Sequence, residues 1–323
     1  MKLKSTIYAP ILFGVILLLS GVAAVLSRVI DGIEVDAFLS STIVQLIVFL
    51  LPLAFYCRVT NFDLVSGLKF RYVAFSRIPF LVNMTLIFFV GSMLFRYLGL
   101  FAFDEAMVVT PGVITFSVKS ENTFLHFLGA MVLPAVLEEV AFRGILLEEY
   151  RSYGALWTVA TTALMFAMLH LSLENFVYYL FMGIVLGVIT VATDSLLPAV
   201  ALHIFINISH EYFRAPVVEY LRQAGKSLIL PYLLLALFLL LFIFMFSGLE
   251  KIYQTKAYNE ILQSRKELLR KELEKAKSVQ EDGERETKGK AVLRILKEIY
   301  LSPSFLATIV VFAFLVSDVL KRG

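Results

Sequence analysis

Apolar residues in this chain are gathered into long blocks, with polar residues confined to the intervals between them and to a few positions inside them. Eight blocks run over about 7–26, 37–57, 79–102, 123–147, 154–173, 175–193, 195–213 and 228–249, and a marginal ninth over 303–320. Roughly 20 mostly apolar residues make a helix long enough to cross the hydrocarbon core. Lipid offers no partner to backbone N–H and C=O groups, so a crossing block has to be helical. The alternating strands of an outer-membrane barrel are absent. The pattern predicts an all-α polytopic membrane protein with eight or nine transmembrane helices. It divides into an intramembrane bundle over 1–249, a charged segment over 250–300 and a C-terminal hydrophobic helix over 301–323, expected to span.

Composition agrees. Of 323 residues, 59% are hydrophobic and 17% charged, and the mean hydropathy is +0.83. An ordinary soluble domain carries about 45–50% apolar and about 25% charged residues. The lone Cys57 excludes an internal disulfide and a multi-cysteine metal cluster. Basic residues are not gathered on an aromatic-rich soluble domain, so no nucleic-acid partner is expected. The first block follows Lys2 and Lys4 but is longer than a signal-peptide core, so it is expected to be retained.

Charge between the blocks suggests an orientation. Lys2, Lys4, Arg58, Lys69, Arg71, Arg77, Arg151 and the basic part of 250–300 fall on one side, while Asp31, Glu34, Asp36, Asp104 and Glu105 fall on the other. The positive-inside bias then places the N-terminus in the cytoplasm. Arg28, Arg214, Arg222 and Lys226 run against this scheme. The chain is expected to be a multi-pass integral membrane protein, of the plasma membrane if the source is microbial.

Residues 250–300 hold 13 of the 29 basic residues and 10 acidic ones. Ile261, Leu262, Leu268, Leu269 and Leu273 repeat at helical spacing there, as on a solvated cytoplasmic helix. The run from Ser278 to Lys290 is polar and reads as a linker. Val292, Ile295, Leu296 and Ile299 give 291–300 an amphipathic face suited to a membrane surface.

The chemistry lies in polar groups placed where lipid should be. A charge at the bilayer centre costs about 2.5–3.5 kcal/mol on the insertion scale. Such groups therefore pair, face the bundle interior or line a wet cavity. The fourth block carries Glu138, Glu139 and Arg143. Each helical residue turns the direction by about 100°, so Glu139 and Arg143 share a face and Glu138 points elsewhere. The fifth block carries Phe166 and His170, and the seventh His203 and Asn207, each pair four apart. A His/Asn pair can also be interhelical hydrogen-bond glue, and a lone buried histidine is often only a satisfied core residue. Converged, however, the set makes a complete hydrolytic site. A carboxylate held beside another out of bulk water is a better base, a histidine shares its proton traffic, and an imidazole with an amide can stabilise an oxyanion. The same Glu and His side chains could instead hold a divalent metal. A proton- or ion-coupled transporter would use the same residue types, although no internal repeat or pair of Gly/Pro-broken spans accompanies them. His126, His210 and Arg96 carry little functional weight; Arg96, near the end of the third block, is expected to snorkel to the interface.

Glu138-Glu139-Val140-Ala141-Phe142-Arg143 fits EExxxR, Phe166 to His170 fits FxxxH, and His203 to Asn207 fits HxxxN. Three such motifs in this order, all within spans, resemble the CAAX-protease and bacteriocin-processing (CPBP) family of intramembrane endopeptidases. The resemblance covers about residues 123–210. It implies an endopeptidase with a core over about 123–213 in which Glu138, assisted by His170, activates a water. His203 and Asn207 would stabilise the oxyanion, and Glu139, Arg143 and Phe166 would organise the site. The family is described both as metalloproteases and as glutamate-type proteases, so the cofactor implied is none or a divalent metal such as zinc, held if present by Glu138, His170 and His203. The partners implied are membrane lipid and a peptide or protein substrate, lipidated or hydrophobic, with bacteriocin maturation as another option. The chain lacks HExxH.

Overall fold

A computed structural model describes residues 4–29, 42–102, 123–224, 229–254 and 288–322. Every regular element among them is helical. The helices are α1 (Ala9–Val29), which continues the π-turn Lys4–Tyr8, α2 (Thr42–Thr60), the short α3 (Leu64–Leu68), α4 (Ile78–Ala102), α5 (123–150), α6 (Ala155–Leu169), α7 (Phe176–Thr193), α8 (Leu197–Ala224), α9 (Ile229–Gln254), α10 (Lys288–Tyr300) and α11 (Pro303–Arg322). The chain is an all-α polytopic membrane protein.

Five described helices are long and apolar enough to cross a membrane: Thr6–Leu26, Thr42–Thr60, Phe75–Tyr97, Phe176–Thr193 and Ile229–Ile252. The bent pair Ala291–Tyr300 and Pro303–Ser317, meeting at 55°, would add a sixth. The predicted blocks 123–147, 154–173 and 195–213 are helical too, but none passes as a plain apolar span. Glu138, Glu139 and Arg143 interrupt the first, α6 has only 15 residues, and His203, Asn207 and their neighbours dilute the third. Glu139, Arg143 and His203 on these helices are buried against protein. By contrast α9, which leans on α4, leaves Leu233, Leu237, Leu240, Ile243 and Phe244 exposed. Most of the charged segment, 255–287, lies outside the described residues, as do the acidic loops at 31–36 and 104–105.

Three π-turns share a cause. Lys4–Tyr8, Leu46–Leu50 and Phe127–Val132 each end two residues before a proline, Pro10, Pro52 and Pro134. A proline ring has no N–H and crowds the carbonyl four residues back, which widens the preceding turn. Carbonyls freed this way need donors from other helices. Ser304 Oγ donates to Thr6 O at 2.6 Å and Gln45 Nε2 to Gly129 O at 3.2 Å. The first bond, with Thr308 Oγ1 donating to Pro10 O at 3.1 Å, clasps α11 onto α1. Gly14 and Gly21 on α1 leave room there for Thr308 and Leu315.

The tightest packing joins α6 to α7. A Cβ on Gly183 would stand 2.8 Å from Ala163 Cα, and one on Gly187 3.1 Å from a methyl of Val159. Two glycines four apart let helix backbones approach closely, as small residues do in membranes.

One end of the bundle is tied by charge. Lys69 Nζ lies 2.9 Å from Glu148 Oε2 and 3.1 Å from Asp194 Oδ1, while Arg71 and Arg151 reach Asp194 at 3.0 and 2.9 Å. Arg77 Nη1 donates to Thr193 O at 2.7 Å. The α2–α4 and α5–α6 connections, which the charge pattern assigned to one side, therefore meet, and Asp194 brings the α7–α8 connection to them. Burial alone would push the Asp194 carboxyl up, but Lys69 and Arg151 outweigh it and hold it below the ordinary carboxylate range. A depressed folded-state pKa adds stability that is complete above the unfolded value, about 3.9, and is lost as pH falls through the folded one. Asp194 sits at φ 50°, which asparagine tolerates. Asp194→Asn is thus expected to lower the thermal midpoint of the detergent-solubilised protein by a few degrees at pH 7, about 1 kcal/mol for a partly exposed network. The deficit relative to the parent should shrink below about pH 4.

Candidate active site

The site is assembled at mid-bundle by α5, α6, α7 and α8. Glu139 is fully buried and Arg143 nearly so. Arg143 Nη1 donates to Glu139 Oε1 at 2.7 Å, as the four-residue spacing predicted. The turn that carries Arg143 is not regular: Val140–Leu146 is a π-turn with no proline to force it, starting directly after Glu139. Such turns inside α-helices are frequent at functional sites. Arg143 Nη2 donates to Gly183 O at 3.2 Å, and its guanidinium lies 4.4 Å over the Phe166 ring. Glu139 Oε1 also meets His203 Nδ1 at 2.8 Å. One carboxylate oxygen thus joins α5 to α8, and its arginine joins α5 to α7.

Glu138 stands outside this knot. Its side chain is 15% exposed, and its nearest ionisable contact is His203 Nε2, 3.9 Å from Oε2. Oε2 of Glu138 and Oε2 of Glu139 are buried without a hydrogen-bond partner among the described residues. Buried acceptors normally find donors.

His170 closes α6. His170 Nδ1 lies 2.9 Å from Phe166 O. A carbonyl only accepts, so Nδ1 carries a proton, and in the neutral ring Nε2 keeps its lone pair. The imidazole stacks on Tyr179 at 3.6 Å and lies 4.8 Å from the Phe166 ring. The next residue, Leu171, is buried with φ 50°, a conformation costly for leucine and common where a site is held under strain. Counting along the blocks would place Glu138 and His170 toward opposite ends. The 15-residue α6 rises about 22 Å, so His170 falls inside the core instead of at its far surface. Phe166, which also meets the His203 ring at 5.9 Å, is the shared wall of both histidines.

Asn207 lies one turn beyond His203 on α8, and its Nδ2 donates to Met131 O at 3.1 Å. His126 pairs with Glu211 at 3.4 Å, away from these groups. The motifs overlooked Gly183, whose carbonyl receives Arg143, and Tyr179, which backs His170. The pattern Tyr179, Gly183, Gly187 at four-residue spacing was the available signal. Among the described residues no set of three His, Cys, Asp or Glu side chains stands close enough to hold a metal ion. His203 Nδ1 is committed to Glu139 and His170 Nδ1 to Phe166, which leaves the Nε2 atom of each ring for any further partner.

Residues 120–209 match the family described as Type II CAAX prenyl endopeptidase Rce1-like. This segment contains every residue of the cluster. No curated protein and no solved structure matches the chain. The segment is a CPBP-family endopeptidase domain, and the protein that carries it is a peptide hydrolase, an intramembrane endopeptidase. No finding supports the transporter reading.

Removing Arg143 would strand the Glu139 charge in the core. Arg143→Ala is expected to cost about 3–5 kcal/mol, read as a large fall in thermal midpoint in detergent. The double variant Glu139→Gln, Arg143→Met, which buries no ion, should recover most of that fall.

Proposed function

We propose that the site hydrolyses a peptide bond of a lipidated or hydrophobic peptide with water activated by Glu138 and His170. The observation that carries this reading is the Glu138 carboxylate, buried with an unpartnered oxygen and aimed at His203 beside the Glu139–Arg143 pair. The water oxygen attacks the scissile carbonyl carbon and its proton passes to Glu138, with His170 Nε2 accepting a hydrogen bond from the same water. As an imidazolium paired to Glu139, His203 presents Nε2–H to the developing oxyanion, together with an N–H of the Asn207 amide. The tetrahedral carbon then collapses, the C–N bond breaks, and Glu138 returns the proton to the leaving nitrogen. Glu139, Arg143 and Phe166 act by holding His203 and His170 in place. A CAAX-type peptide, held at the membrane by a lipid, suits a site of this kind. The charged end built on Lys69, Arg71 and Arg151 is read as the cytoplasmic one, by the positive-inside bias.

Glu138→Gln and His170→Ala are each expected to abolish cleavage by purified protein, while membrane insertion and thermal midpoint stay near the parent's. Asn207→Ala should lower kcat by about 10²–10³ with little change in KM. Parental turnover by Glu138→Gln would refute the assignment. An assay repeated with chelator should give an unchanged rate.

A further inference from the structure

Helices α10 and α11 lie outside the segment that matches the family. α11 runs parallel to α1: Ser304 sits at Thr6, Thr308 at Pro10 and Leu315 at Gly21. The α10–α11 junction therefore stands at the N-terminal end of α1, and α10 packs on the π-turn Lys4–Tyr8. Tyr300, the last residue of α10, also reaches the start of α6. Its hydroxyl is 3.1 Å from Thr161 Oγ1, and its ring is 6.5 Å from that of Trp157. Arg151 of the charged network lies just ahead of α6 in the chain. α10 thus leaves the bundle at the end where Lys69, Arg71 and Arg151 gather.

The apolar stripe of α10 was expected on a membrane surface, but most of it packs on protein. Ile299 is buried, and Ile295, Leu296 and Tyr300 are half-buried. Arg294 and Lys297, three apart and so within about 60° of each other, are exposed on the opposite side. The helix carries Lys288, Lys290, Arg294 and Lys297 against a single acid, Glu298. Its 13 residues span about 20 Å. Inclined at 55° to α11, it descends about 11 Å along the axis of that helix, enough to cross one headgroup layer of about 5–8 Å. Trp157 and Tyr300 stand together at its lower end, as aromatic residues do at a membrane interface. We infer that the outer, basic face of α10 is a docking surface for anionic phospholipid headgroups. Juxtamembrane basic residues are drawn to an anionic leaflet. Leu293 and Leu301, both exposed, suit the acyl boundary beneath those headgroups and favour lipid over an acidic soluble protein.

The test is amide hydrogen exchange of the full-length protein in two sets of vesicles, one of phosphatidylcholine and one with phosphatidylglycerol as about a third of the lipid. A basic residue near an anionic surface is worth about fivefold in an equilibrium constant. Exchange over 291–300 should therefore slow by at least about tenfold in the anionic vesicles at low salt. Most of that gain should vanish in about 1 M salt, where the screening length falls to about 3 Å. The double variant Arg294→Gln, Lys297→Gln should match the parent in phosphatidylcholine and lose most of the gain in the anionic vesicles. Equal exchange of the parent in both lipids overturns the inference, needs no variant to fold, and leaves the face to an acidic protein partner. A gain that survives high salt or the double variant overturns it too, because apolar contact would then be the cause. Slowing spread evenly over the whole chain also overturns it, since that marks general stabilisation by the lipid. The readout does not depend on catalysis, so failure here leaves the endopeptidase reading untouched.

Discussion

A single carboxylate oxygen organises this protein. Glu139 Oε1 accepts from Arg143 and meets His203, and Arg143 reaches on to Gly183 O. Each ion alone would be costly at membrane depth. Paired and hydrogen-bonded across three helices, they fix the rotation of α5, α7 and α8 about their own axes. A buried pair of this kind is weak evidence for stability, because well-packed apolar residues often serve as well. Its use here is orientation. It holds His203 with Nε2 turned to Glu138, so that two carboxylates adjacent in the sequence meet the two nitrogens of one imidazole.

The helices that carry the polar cluster are irregular. α5 contains two π-turns, one forced by Pro134 and one, at Val140–Leu146, lying directly after the two glutamates. α6 stops after 15 residues at His170, followed by a strained Leu171. α7 thins to glycine at 183 and 187, so that α6 can approach and the Gly183 carbonyl is open to Arg143. Lipid would penalise each irregularity, since freed backbone groups find no water there. Side chains from neighbouring helices meet that need: Gln45 for Gly129 O and Asn207 for Met131 O. The outer helices α1, α4, α9 and α11 shield these interior ones from lipid.

Hydropathy made the fold class legible. Block length, the absence of alternation and the rule that backbone in lipid must bond to itself leave little choice. The four-residue spacings were equally direct: Glu139 with Arg143 and His170 with Phe166 are contacts within one helix, and local geometry dictates them. The basic connections around Lys69, Arg71 and Arg151 meet at one end, as their charge suggested, because each lies after an even-numbered block. The limits of the three interior blocks were not legible, since a helix shielded by protein has no need to be uniformly apolar.

Sequence alone therefore determined which polar residues stand inside apolar helices, because periodicity and the cost of charge in lipid act locally. Only the tertiary structure decided that His203 belongs to Glu139 through one nitrogen and faces Glu138 with the other, that Tyr179 and Gly183 support the site, and that Arg96 lies over the Tyr178 ring. Those facts depend on how far each helix is shifted and rotated against its neighbours. Side-chain contacts between helices set that, and no spacing along one helix records it.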